Sequence, residues 1–511
     1  MGNPGALSMR SLLCVISGKL LSGSFSCYRF SALGLFSFIF HYAFDAKTGS
    51  NMTTVKTHVS SSQSLFNIRG ENMKIQISLI AGFFILLSVS SPVSAVDPYS
   101  QLGNQLGNVD PRSDELGTSY IPALFTVSQP RLPFNESSRI GLVSGDIAEY
   151  KIRLRVGPGE YDYITLTNYV LEKRPWATKS NKNLVILPGH ALTEKFCSDM
   201  AIYYAQQGYS AYILDRRETN VPGNETDFSF MQDWTFEKYL QDTFKGIRVS
   251  RIHTALLSGK SAKSIEVTAI GHSHGAMLLT AYEASKYDDR PMGSVDRAVP
   301  VDIIIEYNPE NSELIHNQTQ EFASITESIE NGVYSDSSMA GMMYIAYLAS
   351  VEPEGHNFSE LTNRQFFRLM ASQTYSFSAY PYTPDYHYWS GDLNGLYHVD
   401  EDRLLNLTWT GAVPYAPKYL DQYMAGLMGN VEGYEIDPSR VDSPVLYIGL
   451  GGGFGDYGAW WYENEVGTTN NRVTTITWND QGHGSLLIDS NSSDLWAIIG
   501  DWIDDNKNLN K

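Results

Sequence analysis

The stretch Ser264 to Ala281, SIEVTAIGHSHGAMLLTA, sets a serine where it could act as a nucleophile. Ile265 to Ile270 reads as a buried strand with β-branched residues alternating through it. Gly271-His272-Ser273-His274-Gly275 follows, and Met277, Leu278, Ala281 and Tyr282 then share one side of a helix. So tight a turn between strand and helix strains the backbone of its apex residue, Ser273, and lifts the side chain clear of the sheet. The flanking glycines are needed because Cβ atoms there would collide. A serine hydroxyl is a poor nucleophile until a base stands within hydrogen-bond reach. His483 is the candidate base, in the glycine-flanked loop Gly482-His483-Gly484 after the final strand. A third residue must accept a hydrogen bond from that imidazole and fix its tautomer. Asp456, in Gly453-Phe454-Gly455-Asp456-Tyr457-Gly458, is expected in this role, with Glu463 and Glu465 in reserve.

The elements that must position these residues are legible in order. Asp146 to Glu172 predicts a hairpin around Gly157-Pro158-Gly159. Asn183 to Leu187 is a continuous apolar strand ending in Pro188-Gly189-His190-Ala191. Thr193 opens a helix that Gly208 closes, and Tyr209 to Leu214 is the next strand, ending at Asp215. A long helix is expected over about 235–257, then the elbow strand, then an apolar strand Val301 to Tyr307 broken only by Asp302 and Glu306. The βα alternation stops over 308–440 and resumes with strands Val445 to Leu450 and Arg472 to Trp478 and a last helix from near Ser493. Buried strands alternating with helices predict an α/β fold, a mostly parallel central sheet flanked by helices. The interruption predicts a large inserted cap at the carboxyl edge of the strands.

On the elbow GHSHG, the terminal His483 and the order serine, acid, histidine, the segment Asn183 to Trp502 outside the insertion resembles the α/β-hydrolase superfamily, and the elbow is similar to that of many lipases and esterases. The resemblance implies an α/β-hydrolase fold and a serine hydrolase of carboxylesterase or lipase type acting on a small-molecule or lipid-like ester. A serine peptidase or amidase, and a catalytically inactive binding module, are the alternatives. Haloalkane dehalogenases and epoxide hydrolases resemble this fold but use Asp as nucleophile. The resemblance also implies an oxyanion hole built from the backbone amide of His274 and that of His190, with Ala191 next. Some lipases carry the acid one strand earlier, where this chain reads Tyr307-Asn308-Pro309, with Glu306 and Glu310 close by.

Other readings are excluded or bounded. Gly453 to Gly458 matches a dinucleotide-binding glycine pattern, but only one strand follows, so no NAD or FAD and no other cofactor is expected. His272 and His274 stand two apart across a sharp turn, which points their rings apart, so no metal site is expected. The net charge of −19 argues against nucleic acid and anionic membrane surfaces as partners. Within the insertion, Tyr375 to Tyr397 is dense in aromatic residues and poor in cations. Tyr386, Tyr388 and Trp389 are expected to line a pocket for an uncharged substrate rather than a phosphoester.

Met73-Lys74, the apolar run Ile75 to Val89 and Ser90-Ser91-Pro92-Val93-Ser94-Ala95 read as a signal peptide over 73–95, too short for a membrane span. Residues 1–72 are expected to be a non-native extension from an early start codon, or else part of a longer leader. The mature chain would begin at Val96 as an extended arm over 96–145, and the hydrolase core would occupy 146–307 and 441–511. Export leaves Cys197 as the one cysteine, without a disulfide partner. Sequons stand at Asn135, Asn224, Asn317, Asn357, Asn406 and Asn491.

Overall fold

The computed structural model describes residues 136–372, 389 and 391–506. The expected leader, the extension before it, and Tyr386 and Tyr388 lie outside the described residues. Three strands open the fold as an antiparallel meander: β1 (Glu136–Ser144), β2 (Ile147–Arg155) and β3 (Tyr163–Leu171). β2 and β3 are the expected hairpin, in unbroken register from Ile147 opposite Leu171 to Arg155 opposite Tyr163. β1 replaces the end of the expected arm. It pairs antiparallel with β2, with register shifts after Arg139 and after Leu142. Its apolar residues Ile140, Leu142 and Val143 are exposed, so the strand lacked the clean alternation that marks a buried face.

The α/β part follows. β4 (Lys182–Leu187) leads to α1 (Glu194–Gln206), whose first turn is capped by the Thr193 hydroxyl accepting from the Lys195 amide. Gly208, at φ 85°, turns the chain into β5 (Tyr209–Asp215). α2 (Phe236–Ser258) ends at Gly259 in the left-handed conformation. β6 (Glu266–His272), α3 (His274–Glu283) and β7 (Arg297–Val301) complete this half. The chain then leaves the sheet for α4 (Ser312–Glu330), α5 (Ser338–Val351), α6 (Asn363–Ser372), α7 (Glu401–Gly411) and α8 (Lys418–Met428). It returns as β8 (Val445–Gly452), α9 (Gly455–Trp461), β9 (Val473–Gly482) and α10 (Ser492–Asp505).

These nine strands form one sheet in the order β1-β2-β3-β5-β4-β6-β7-β8-β9; two short two-stranded pairs lie apart from it in the insertion. From β5 onward every neighbouring pair is parallel. β5 and β7 are buried along their whole length, as strands covered on both faces must be. The register brings Leu187 level with Gly271 and His272 level with Val301, so the carboxyl ends of β4, β6 and β7 stand side by side.

One expected strand is placed differently. Residues 301–307 were expected as a strand; the strand is Arg297–Val301, and the chain departs the sheet at Asp302, whose φ is 51°. Ile303, Ile304 and Ile305 are fully buried without being strand. An apolar run reports burial, and periodicity alone does not separate a buried strand from buried irregular chain. Among the described residues no helix is long and apolar enough to cross a membrane. Cys197 is a buried free thiol, and burial pushes its ionisation well up, so it is a packing residue.

The core continues under β8 through α9, where Trp461 is fully buried and packs edge-on against Tyr462. Trp461→Ala is expected to cost about 3–5 kcal/mol. A loss of unfolding free energy, read from denaturant melts, of less than a quarter of that would show that the region collapses around the cavity.

Candidate functional site

Ser273 sits between β6 and α3 with φ 55° and ψ −126°, a strained conformation for a residue with a side chain. The glycines that allow it are forced. A Cβ on Gly271 would lie 2.4 Å from the Gly275 carbonyl oxygen, and one on Gly275 would lie 2.1 Å from the Leu187 carbonyl oxygen. The Ser273 amide donates to Val301 at 3.0 Å, which ties the turn to the end of β7.

His483 lies in the loop after β9, where its sequence placed it. Its Nδ1 meets Asp302 Oδ2 at 2.6 Å, with both side chains buried. The expected acid, Asp456, is not there. It is exposed at the start of α9 and accepts a hydrogen bond from the Thr477 hydroxyl. Of the two reserves, Glu463 likewise accepts from the Thr475 hydroxyl, and neither Glu463 nor Glu465 has a bond to His483 among the described residues. The acid comes one strand earlier, as in the lipase arrangement, but at Asp302 rather than near Tyr307-Asn308-Pro309. The strand ends six residues sooner than its apolar run suggested.

The glycine-rich loop after β8 serves that carboxylate instead of supplying one. Asp302 Oδ1 accepts from the amides of Leu450 at 2.9 Å, Phe454 at 3.0 Å and Gly455 at 3.1 Å. The Phe454 amide also reaches Oδ2 at 3.2 Å. A Cβ on Gly453 would lie 1.9 Å from Asp302 Oδ2, so only glycine lets the loop close on the acid. With Nδ1 donating to Asp302, the basic lone pair of the neutral His483 ring is on Nε2.

Two residues that sequence reasoning gave no role brace the site. His272, next to the serine, donates from Nε2 to the carbonyl of His483 at 2.7 Å. Burial, aided by the nearby His483, pushes its imidazole down to about 3, so it is a neutral strut between elbow and histidine loop. Arg216, one residue past β5, is buried and donates to the carbonyls of Pro188 at 2.6 Å and Gly189 at 2.7 Å. Its Nε is held by Glu218 at 2.7 Å. This fork ties down the carbonyls of the loop after β4. The available signal was an arginine directly at the end of a buried strand.

The expected oxyanion residues come together. Gly189 packs so closely on the elbow that a Cβ there would lie 2.8 Å from His272 Nδ1 and 3.3 Å from Ser273 Cβ. The rings of His190 and His274 are 4.9 Å apart. His274 is the first residue of α3, so its amide is among those a helix leaves without an internal partner. Burial, reinforced by His190, Arg216 and His483, holds the His274 imidazole well below its usual range and therefore neutral. His272 packs with His483, and His274 with His190. Asp421 on α8 stands 3.5 Å from Nε2 of His274.

The insertion touches the site at two further places. The Val413 amide donates to Ala191 at 2.9 Å. Trp389, whose amide donates to Ala371 of the insertion itself at 2.9 Å, makes the second. The buried Trp389 ring lies on Gly484, where a Cβ would be 2.5 Å from it.

Gly453→Ala is expected to push the loop off Asp302 and to destabilise the protein by about 1–3 kcal/mol. Gly395→Ala, where the added Cβ meets open space, is the matched control. Equal denaturant midpoints for the two variants would show that the close approach carries no energy.

No protein-family model matches the chain, and no curated protein matches it. Among solved structures it is similar to a candidate lipase from Sulfolobus solfataricus, at 15% identity and TM-score 0.49 over 73% of this chain and 100% of that one. It is also similar to the thioesterase domain from the curacin biosynthetic pathway, at 12% identity and TM-score 0.35 over 71% and 99%. A third similarity is to a potato epoxide hydrolase, at 11% identity and TM-score 0.37 over 67% and 96%. Parallel strands covered on both faces, a glycine-lined elbow closing β6, and serine, acid and histidine following one another in that order along the chain give this protein the α/β-hydrolase fold.

Proposed function

We propose that the protein is an exported serine hydrolase that cleaves a carboxylic ester through an acyl-enzyme on Ser273. The observation that carries this reading is the buried hydrogen bond from His483 Nδ1 to Asp302, in a chain whose elbow serine is strained. His483 Nε2 takes the proton as Ser273 Oγ attacks the carbonyl carbon. The oxyanion is met by the amides of His274 and His190. The C–O bond to the leaving alcohol breaks and His483 returns the proton to it. Water then attacks the acyl-enzyme by the same route, releasing the acid and restoring the Ser273 hydroxyl. Asp302 is a positioning residue that holds the imidazole in its reactive tautomer.

The helices of 308–440 act in this reading as a cap over the elbow. Trp389, pressed on Gly484 beside the base, is an apolar wall for an uncharged acyl or aromatic group, with Tyr386 and Tyr388 before it in the chain. The leader at 73–95 carries the export part of the proposal.

A fluorophosphonate should label Ser273, and Ser273→Ala should abolish both labelling and turnover of activated esters. Asp302→Asn should lower kcat by about 10⁴-fold with the fold intact, whereas Asp456→Asn should change it by less than about tenfold. The reverse order for the two aspartates would return the acid to the loop after β8. A parallel set of amide substrates separates an esterase from a peptidase on the same triad. For export, mass spectrometry of the secreted protein should find its first residue near Val96; peptides from 1–72 would contradict the early-start reading.

A further inference from the structure

His190 and His274 enter the proposed reaction only through their backbone amides, yet their rings converge on one point. They stand nearly perpendicular, at 87°. Two carboxylates of the insertion face them. Asp421 Oδ1 lies 3.5 Å from Nε2 of His274 and 3.8 Å from Nε2 of His190. Asp336 Oδ2 lies 3.8 Å from the same nitrogen of His190. The donor atoms of His190, His274 and Asp421 all lie within 4.8 Å of one another.

These separations are longer than the roughly 2.7–3.2 Å of a hydrogen bond to nitrogen. They approach the edge of a coordination tetrahedron, since ligands about 2.0–2.2 Å from one ion stand about 3.3–3.5 Å apart. The imidazoles are also left unsatisfied. His190 Nε2, which faces both carboxylates, is buried without a hydrogen-bond partner among the described residues, as is Nδ1 of His274, whose Nε2 is the nitrogen measured against Asp421; the His274 side chain is only 5% exposed. Buried polar atoms of this kind are uncommon and call for a ligand or a partner.

We propose that His190, His274 and Asp421, with Asp336 as fourth ligand, bind one divalent transition-metal cation of the zinc type. Two imidazole nitrogens and two carboxylate oxygens suit such an ion, whereas calcium and magnesium take oxygen ligands. His190 comes from the loop after β4 and His274 from the elbow; Asp336 and Asp421 come from the insertion. Neither half closes around an ion alone, so the ion fastens the insertion to the sheet edge beside Ser273. The site does not depend on the hydrolytic reading.

The experiment uses the full chain, stripped with a chelator and titrated with Zn²⁺ in a calorimeter, with Co²⁺ as a spectroscopic substitute. One equivalent should bind, the melting temperature should rise, and Co²⁺ should show the visible bands of a four-coordinate nitrogen–oxygen site. Asp421→Asn and His190→Gln should each weaken Zn²⁺ binding by about tenfold or more. Ser273→Ala should bind Zn²⁺ as the wild type does, which separates this proposal from the triad. Absence of Zn²⁺ uptake at micromolar concentration would overturn the proposal, as would uptake unchanged in Asp421→Asn. Circular dichroism checks that each variant is folded. If His190→Gln is not, Asp421→Asn decides the matter, because its side chain is nearly isosteric.

Discussion

A carboxylate with no exposure to water has to be satisfied completely by its surroundings, and Asp302 is such a group. Three amides of the loop after β8 serve one of its oxygens, and His483 with one shared amide serves the other. That requirement explains features that look unrelated along the chain. β7 stops at Val301 because the next residue turns inward at positive φ. The loop after β8 carries glycines because its backbone must touch the acid. The insertion begins beyond Asp302 and ends before the loop that closes on it.

Much of the fold was legible because buried parallel strands and capped helices write themselves locally. Thr193, Gly208 and Gly259 mark their helix ends by side chain or by φ, and Gly271 and Gly275 mark the elbow by what a Cβ would strike. Ser273 and His483 were legible for the same reason, since each is set in a glycine-bounded turn. The acid was not. Asp302 stood in the sequence as a polar interruption of an apolar run, and that interruption was itself the signal. Asp456 drew attention because it sits among glycines, yet those glycines answer to a residue far away in the chain. Close approach between distant backbones leaves a mark at only one of the two partners.

The supports of the site were less visible still. Arg216 acts by a planar two-pronged contact with two carbonyls, and nothing in a loop arginine announces which carbonyls it will meet. His272 works as a neutral post only because burial strips its charge. Asp336 and Asp421 come from a region without βα alternation, so no strand order placed them beside the elbow. Chemistry assembled from secondary-structure ends is readable, whereas chemistry assembled from packing between an insertion and a core requires the fold.

The order of residues along the chain has a consequence for how the protein comes into being. Ser273 and Asp302 follow neighbouring strands, but His483 stands 181 positions beyond the acid. During synthesis the nucleophile, its elbow and the acid emerge early and can pack against strands already made. The base arrives only after the five helices and β8 have emerged, and closing so long a loop costs entropy that local contacts do not repay. Until β9 docks, no imidazole reaches Asp302. The last contact of the buried Asp302 carboxylate can therefore form only late, after the whole of 308–440 has been made.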